Sequence, residues 1–401
     1  MKLRYRMMTF FVVATVLHPV PYAFAEPKIN EKYGSSKASN VGDANNGVFV
    51  PIENAQDCAY DHLRQRLYVT TLKQLVVFGM EQREVIESID LLGDVQGIDI
   101  SPEAKFVVIG PKTGQYIYKL KLDWKTGDEI EIDRIKFKAD GAEPGVFAVG
   151  VGADDSVIFS TRFSGSGWVQ LRRLNTNDSI IELDRIRMDS VIAVAGDRKT
   201  AFIGEGNSSS GPLLQYDFKR KKLTKLAELQ GFYYELACSA DGSVLARPAR
   251  NGCELYDRKG TKLGELVGAP VICAAFDPKA PVIYVMRSGE QGIQLFNLSG
   301  KLLAHSYSFD KQLEIKGDVS NSVNVQLQPA GRDAVRANLR RVTHVNFHTY
   351  SSGRMHVAED GKTLCAVVPN GVYVFPITEH DLQTADPDDS PRKSKVKIND
   401  K

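Results

Sequence analysis

Short apolar segments with alternating polar positions run from about Val48 to Ile377, and turns rich in Gly, Asp, Asn and Pro separate them. Hardly any segment shows the longer period of an amphipathic helix, whereas alternation over a few residues is typical of β-strands. One unit recurs, in which a strand, a turn of small or acidic residues and a second strand follow one another, as at Ile98–Ile109. The pattern therefore predicts an all-β chain.

The recurring unit has a nearly regular spacing. Its first turn residues are separated by 40, 51, 43, 44, 38 and 82 residues, and they are Asp61, Ser101, Gly152, Ala195, Ser239, Asp277 and Glu359. A period near 40–45 residues with four strands per unit is typical of a β-propeller, whose blades stack around a channel because one blade cannot bury both faces. We predict seven four-stranded blades with an insertion at 310–353. The alternative is eight, with a degenerate blade in that segment.

The two ends of the repeat region complement each other. The last unit supplies three strands, at Met355–Ala358, Leu364–Val368 and Val372–Phe375, and a spare strand at 47–52 precedes the first unit. Pairing the spare strand with the last unit completes a four-stranded blade and removes exposed sheet edges. We therefore predict that an N-terminal strand closes the ring.

The first unit carries a family resemblance. Its segments Leu67–Thr71, Leu75–Phe78, Val85–Ile89 and Gly97–Pro102 resemble a YVTN-type or WD-repeat-like propeller unit. The resemblance covers residues 57–137 clearly and the other blades more weakly, and the Trp-Asp dipeptide of many WD repeats is absent. It implies a propeller of a type that includes both binding proteins and lactonase-like enzymes, so the fold does not choose between them.

The N-terminal residues have the features of a signal peptide. Lys2, Arg4 and Arg6 precede an apolar run at Thr9–Leu17, and small residues at Ala23–Ala25 suit a cleavage site. We predict a signal peptide at 1–25 and a periplasmic or extracellular location, with a bacterial envelope as the expected setting. The remaining organisation is a flexible linker at 26–46, the propeller at 47–378 and a disordered charged tail at 379–401.

Charge and apolar runs exclude two classes of partner. The chain has 51 Lys and Arg against 49 Asp and Glu, a formal charge of +2, which provides no strong field for nucleic acid. Beyond the N-terminal run no apolar segment approaches the roughly 20 residues of a membrane span. The sequence thus predicts neither nucleic acid binding nor a membrane span, and it leaves the oligomeric state open.

No metal or cofactor motif is present. The five cysteines include no Cys-x-x-Cys pair, and the one histidine cluster is His344, His348 and His356. Residues four apart lie about 13 Å apart along a strand, too far to share a metal. We therefore predict no metal and no cofactor. A third hypothesis is a cofactor-dependent dehydrogenase. It is disfavoured because the repeated tryptophan signatures of quinone-binding propellers cannot form from Trp124 and Trp168, the only tryptophans.

Candidate ligand-binding residues fall on one predicted face, formed by the connections between blades and between the second and third strands of each blade; we call it the loop face. The arginines there are Arg162, Arg247, Arg250 and Arg287. If they converge, they suit a carboxylate, phosphate or sulfate; the alternative is that each is solvated or pairs with a neighbour.

Aromatic and lid residues extend this hypothesis. Trp168, Tyr233 and Tyr234 belong to loop-face segments, where exposed rings favour protein or carbohydrate contact, unless they fill gaps between blades. Within the insertion, Arg332, Arg336 and Arg340 are spaced for one face of a short helix, which suits an anion-binding lid or a stripe facing water.

Catalytic residues are not identified by any motif. The chain has no Gly-x-Ser-x-Gly, His-Glu-x-x-His or dinucleotide-binding glycine motif, although Asp154, Asp155, Glu205 and Glu235 stay open as acid/base carboxylates. The first hypothesis is therefore an exported, non-enzymatic propeller that binds a protein, peptide or glycan partner on its loop face. The alternative is a propeller hydrolase or lactonase-like enzyme with an arginine-lined anion site at the channel mouth.

Overall fold

Strands and tight turns make up the part of the molecule that the structure describes. The computed structural model describes residues 47–125, 130–139, 143–162, 167–205, 210–231, 235–249, 252–266, 271–287, 292–298, 302–308, 354–368 and 371–378. These residues form 28 strands and one short 3₁₀ helix at Pro102–Ala104. The strands form seven antiparallel sheets of four, which confirms the prediction of an all-β propeller with seven blades.

The first three blades follow the chain without interruption, each from its inner to its outer strand. Blade 1 consists of β2 (Asp57–Asp61), β3 (Arg66–Thr70), β4 (Gln74–Gly79) and β5 (Glu84–Asp90). Blade 2 consists of β6 (Val95–Ile100), β7 (Phe106–Pro111), β8 (Tyr116–Lys121) and β9 (Ile132–Lys136). Blade 3 consists of β10 (Val146–Val151), β11 (Val157–Thr161), β12 (Trp168–Leu174) and β13 (Ile180–Arg187).

Blades 4 to 6 repeat this order. Blade 4 consists of β14 (Ser190–Val194), β15 (Thr200–Glu205), β16 (Ser210–Asp217) and β17 (Lys222–Gln230). Blade 5 consists of β18 (Ala237–Cys238), β19 (Val244–Ala249), β20 (Gly252–Asp257) and β21 (Lys262–Glu265). Blade 6 consists of β22 (Val271–Phe276), β23 (Val282–Arg287), β24 (Gly292–Asn297) and β25 (Leu302–Ser308).

Blade 7 combines the two ends of the repeat region. It consists of β26 (Met355–Val357), β27 (Thr363–Val368), β28 (Gly371–Pro376) and, as its outer strand, β1 (Val48–Pro51). Strands β1 and β28 are antiparallel, with Val48 opposite Val374 and Val50 opposite Val372. The predicted ring closure is therefore confirmed. A Cβ atom at Gly371 would collide with the carbonyl oxygen of Val50, so this pairing requires glycine there.

The first strands of the blades surround the central channel. Each contacts the first strand of the next blade, and β26 contacts β2, so the ring is continuous. In each blade the first strand starts at the loop face and ends at the opposite face, where it turns into the second strand. This direction fixes which inner-strand residues lie near the loop face.

The hydrophobic core lies between neighbouring blades. Every residue of β7 is buried, whereas the outer strand β5 is largely half-buried, because middle strands are covered on both faces. At the closure, Val50 and Val374 of blade 7 pack with Val69 of blade 1. All five cysteines are buried and none forms a disulfide. Stability therefore comes from packing between sheets.

Several sequence predictions concern residues outside the described part of the chain. These are the signal peptide, the linker, the insertion at 310–353 and the charged tail beyond residue 378. They stay predictions. Across the described ranges, no helix has the length and apolarity that crossing a lipid bilayer demands.

Candidate functional site

Four charged or titratable side chains meet at the loop-face end of the channel. Asp57 begins β2 of blade 1, Glu235 precedes β18 of blade 5, and Arg354 and His356 belong to the β26 segment of blade 7. Arg354 Nη1 donates to Glu235 Oε1 at 2.6 Å, and His356 Nε2 lies 2.9 Å from Asp57 Oδ1. We call these four residues the channel network. It joins blades 1 and 7, which are neighbours, and blades 5 and 7, which are not.

Their common position follows from the repeat. In most blades the residue that follows the inner strand donates its N–H to the carbonyl five residues on, as in Ser239 to Val244 and Ala358 to Thr363. Glu235 and Arg354 each lie four residues before that donor. Asp57 lies four residues before Asp61, which pairs with Arg66 in the same way. Equivalent inner-strand positions therefore bring the three charges to one level of the channel.

Glu235 is the least satisfied member of the channel network. It is 7% exposed, and its Oε2 atom has no hydrogen-bond partner among the described residues. Burial raises the pKa of Glu235 to about 7, and the nearby Arg354 and His356 only partly oppose that rise. The carboxyl group therefore changes its charge near neutral pH.

His356 is held by Asp57 and remains reachable. Burial lowers the pKa of His356, but the Asp57 carboxylate outweighs this effect, so the pKa of His356 is raised above its usual value. Asp57 is 1% exposed and also accepts the Cys58 N–H at 2.9 Å. The His356 side chain keeps 36% of its surface exposed and lines the channel cavity. A buried carboxylate thus orients an accessible imidazole.

The cavity has a volume of about 200 Å³. Two residues before the equivalents of Ser239 and Ala358, where blade 7 has His356, four other blades carry an alanine that lines the cavity: Ala59, Ala193, Ala237 and Ala275. Small side chains at this level leave the space open. The channel network therefore borders a chamber that alanine methyl groups from four blades keep open and that is large enough for a small molecule.

A second ion pair lines the same cavity and is fully engaged. Arg198 Nη1 donates to Asp99 Oδ2 at 3.2 Å, and the same oxygen accepts the Val151 N–H at 2.7 Å. This pair ties blade 2 to blades 3 and 4. In the described part of the chain no three His, Cys, Asp or Glu side chains form a group that could hold a metal ion.

Two of the predicted arginines are bonded outside the cavity. Arg162 Nη1 donates to Gln96 Oε1 at 2.8 Å, and the guanidinium lies 5.7 Å from the centre of the Phe147 ring. Arg247 forms an ion pair with Glu254 within blade 5 and donates to the carbonyl oxygen of Gln230. Neither side chain is among those that line the cavity.

Trp168 lies on the loop face as the first residue of β12, and 46% of its surface is exposed. The Arg187 guanidinium lies 5.4 Å from the centre of its ring. Arg187 Nε in turn donates to Glu205 Oε2 at 2.8 Å. The structure therefore presents this tryptophan to solvent with an ordered cation against it.

The other predicted site residues are not placed. Arg287 ends β23 opposite Val271, and its side chain is not described. The remaining ones lie outside the described residues: Tyr233, Tyr234, Arg250, Arg332, Arg336 and Arg340. The arginine-lined anion site and the lid therefore stay predictions.

Sequence reasoning missed most of the channel network. It left Glu235 open as an acid/base carboxylate, considered His356 only as a metal ligand and did not single out Asp57 or Arg354. A signal was present, because Asp57, Glu235 and Arg354 occupy the same position of three repeats. Other blades have residues such as Gly97, Val191 and Cys273 there. Aligning inner strands rather than turns would have found it.

Comparison with known proteins supports the fold and nothing finer. No protein-family model and no curated protein matches the chain. The solved structure of the Dos1 propeller is similar with a TM-score of 0.53 at 13% identity, over 80% of this chain and 77% of that one. A functionally unknown protein from Desulfotomaculum acetoxidans DSM 771 has a TM-score of 0.48 at 13% identity, over 63% of this chain and 86% of that one.

The chain is a seven-bladed β-propeller protein, and propellers commonly serve as interaction scaffolds. The YVTN-type resemblance stays a prediction.

Proposed function

We propose that the protein is an exported binding module that holds a protein, peptide or glycan partner on its loop face. The observation that carries the proposal is the exposure of Trp168 beneath Arg187 on that face. Tryptophan and arginine are the residues most enriched at binding hot spots. Because Glu205 holds Arg187 and Arg187 holds the ring, binding orders few additional side chains.

A second apolar contact point supports the same face. Leu92, in the connection from blade 1 to blade 2, is 62% exposed. Its carbonyl oxygen accepts hydrogen bonds from the Tyr116 hydroxyl at 2.7 Å and the Tyr118 hydroxyl at 3.2 Å. These bonds fix the backbone that presents the side chain. Blades 2 and 3 are neighbours, so Leu92 and Trp168 supply apolar contacts to adjacent parts of the loop face.

The test compares two exposed apolar residues on different faces. The full chain and its Trp168→Ala and Ile181→Ala variants are applied to peptide and glycan arrays, and the best ligand is titrated. Ile181 is 40% exposed on the outer strand β13, so it is a matched control away from the loop face. We expect Trp168→Ala to weaken binding about tenfold or more and Ile181→Ala to change it less than about twofold. Equal binding by all three proteins contradicts the proposal.

Export is tested separately. The proposal rests on the basic, apolar and small-residue order of the first 25 residues. In a bacterial host we expect the chain in the periplasmic fraction, with an N-terminal sequence that begins at Glu26. A chain that keeps Met1 and stays in the cytoplasm contradicts export and leaves the loop-face proposal standing.

A hydrolase is the second candidate, and one observation favours it. The His356 imidazole is hydrogen-bonded to buried Asp57 and open to the cavity, which suits a general base that takes a proton from water. The test measures release of acid from a panel of lactones and esters. We expect His356→Gln and Asp57→Asn to lower kcat, and the rate to rise with pH as His356 loses its proton. No turnover on the panel contradicts this candidate.

A further inference from the structure

The unbonded oxygen of Glu235 is the starting point. A buried carboxylate oxygen without a hydrogen bond is costly, and native proteins rarely leave one without a reason. Glu235 lines the channel cavity, and Arg354 engages only its Oε1 atom. The described residues supply no donor to Oε2. A donor from a bound molecule is the partner that this oxygen lacks.

Charge around the cavity favours a cation as that molecule. The lining side chains include four carboxylates, two guanidiniums and two imidazoles: Asp57, Asp99, Glu235, Glu359, Arg198, Arg354, His62 and His356. Each guanidinium is bonded to one of the carboxylates. When Glu235 is ionised, the four carboxylates still exceed the two guanidiniums and a protonated His356 by one, so an entering anion meets repulsion where a cation meets attraction.

The walls limit the size of the cation. The four cavity alanines, Ala59, Ala193, Ala237 and Ala275, present methyl groups, and the volume of about 200 Å³ is room for roughly six or seven water molecules. A short alkyl chain buries apolar surface against these methyl groups. The enclosed volume therefore suits a small cation with a short apolar chain.

We propose that the central channel binds a small primary ammonium compound with a short alkyl chain, whose ammonium group pairs with Glu235 while the chain packs on the cavity alanines. The site is distinct from the Trp168 surface, so it does not depend on the loop-face proposal. The site offers the unbonded Glu235 Oε2 as an acceptor and alanine methyl groups as an apolar wall, and a primary ammonium ion brings N–H donors and an apolar body.

Binding is coupled to a proton. The groups that face Glu235 are Asp57 from blade 1, Cys273 from blade 6, and Arg354 and His356 from blade 7. With its pKa at about 7, Glu235 is half protonated at pH 7, and pairing with an ammonium group requires the charged form. Binding at pH 7 therefore releases about half a proton per ligand. An anion bound through protonated His356 gives the opposite pH dependence.

The experiment is calorimetric titration of the full chain with propylammonium chloride or sodium propionate, ions with the same chain length and opposite charge, at equal ionic strength. We expect propylammonium to bind about tenfold more tightly at pH 8 than at pH 6, because the ionised fraction of Glu235 rises about tenfold. Heats measured in two buffers of different ionisation enthalpy give the protons released. Stronger binding of propionate, or tighter binding of propylammonium at pH 6, overturns the proposal.

Three variants locate the site. Glu235→Gln removes the counter-charge and is expected to weaken propylammonium binding about tenfold or more. Ala237→Leu fills the cavity from blade 5, keeps every charge and is expected to abolish binding, so the proposal stays testable if Glu235→Gln does not fold. Glu143→Gln is the matched control, since Glu143 is 4% exposed, paired with Arg172 and outside the cavity lining. Unchanged binding in Glu235→Gln or Ala237→Leu overturns the proposal.

Discussion

Two buried glutamate–arginine pairs in this propeller have the same length and different surroundings. Glu143–Arg172 lies within blade 3, and Glu235–Arg354 connects blades 5 and 7 at the channel. Both have a nitrogen–oxygen distance of 2.6 Å, and both carboxylates are less than a tenth exposed. Burial and distance alone therefore do not distinguish them.

The hydrogen bonds to the two carboxylates distinguish the pairs. Glu143 Oε2 accepts from Arg172 Nη1 and the Thr161 hydroxyl, and Glu143 Oε1 accepts from Arg172 Nη2 at 3.2 Å. Arg172 Nη2 also reaches Glu182 at 3.3 Å, although Arg172 Nε has no partner among the described residues. Glu235 uses one oxygen only and borders a cavity. A buried charge inside a blade secures that blade, whereas one left half-bonded beside a cavity is where a ligand can bind.

Removing the arginine from each pair is the strongest test of this difference. Arg172→Met removes the counter-charge of Glu143 in a site closed to solvent, and we expect the free energy of unfolding to fall by about 3–5 kcal/mol. Arg354→Met at pH 6 is expected to cost about 1–2 kcal/mol, because Glu235 is then mostly protonated and neutral. Urea unfolding of the full chain at pH 6 measures both. Equal losses for the two variants contradict the distinction.

The pH dependence of stability separates the pairs next. The folded-state pKa of Glu235 is raised from 4.5 to about 7, so its stabilising contribution is complete below 4.5 and is lost as pH rises through 7. Between pH 5 and 8 we expect Glu235 to account for a loss of about 2–3 kcal/mol in the free energy of unfolding. His356, whose pKa is also raised, adds a loss of the same sign.

Variants identify the source of that loss. Glu235→Gln cannot ionise, so it is expected to lose less stability than the natural protein between pH 5 and pH 8. Glu143→Gln leaves Glu235 in place. This variant is therefore expected to keep the loss in the free energy of unfolding that Glu235 causes between pH 5 and 8. Urea unfolding at several pH values between 5 and 8 compares the three proteins. The assignment to Glu235 is wrong if its glutamine variant loses as much stability as the natural protein does.

Most of the fold was predictable because it is repeated. Strand alternation is a local signal, and so is the spacing of Asp61, Ser101 and the later turns; both recur from blade to blade. The spare strand at 47–52 is a further local signal. Even the closure of β1 on β28 follows from counting strands in the last unit.

The channel network was less predictable because its residues are far apart in sequence. His356 and Asp57 are separated by 299 positions, and Arg354 and Glu235 by 119. No spacing motif can detect such pairs, and only a shared register in the inner strands brings them together. Arg247 is a different case, since its partner Glu254 lies only seven positions away across the β19–β20 hairpin and its side chain does not line the cavity.

The smallest test removes one hydrogen bond from the better-satisfied pair. Thr161→Val keeps the shape of the β11 terminus and deletes the hydroxyl that donates to Glu143 Oε2. Because Arg172 still engages both oxygens of Glu143, we expect a loss of about 1 kcal/mol in the free energy of unfolding. Urea unfolding at pH 7 measures it, with Thr200→Val at the half-buried first residue of β15 as the comparison. A loss as large as that of Arg172→Met, with both variants measured at the same pH, would mean that the threonine stabilises Glu143 as much as the arginine does. The difference between Glu143 and Glu235 would then depend on the number of hydrogen-bond donors to each carboxylate, and not on the charge of those donors.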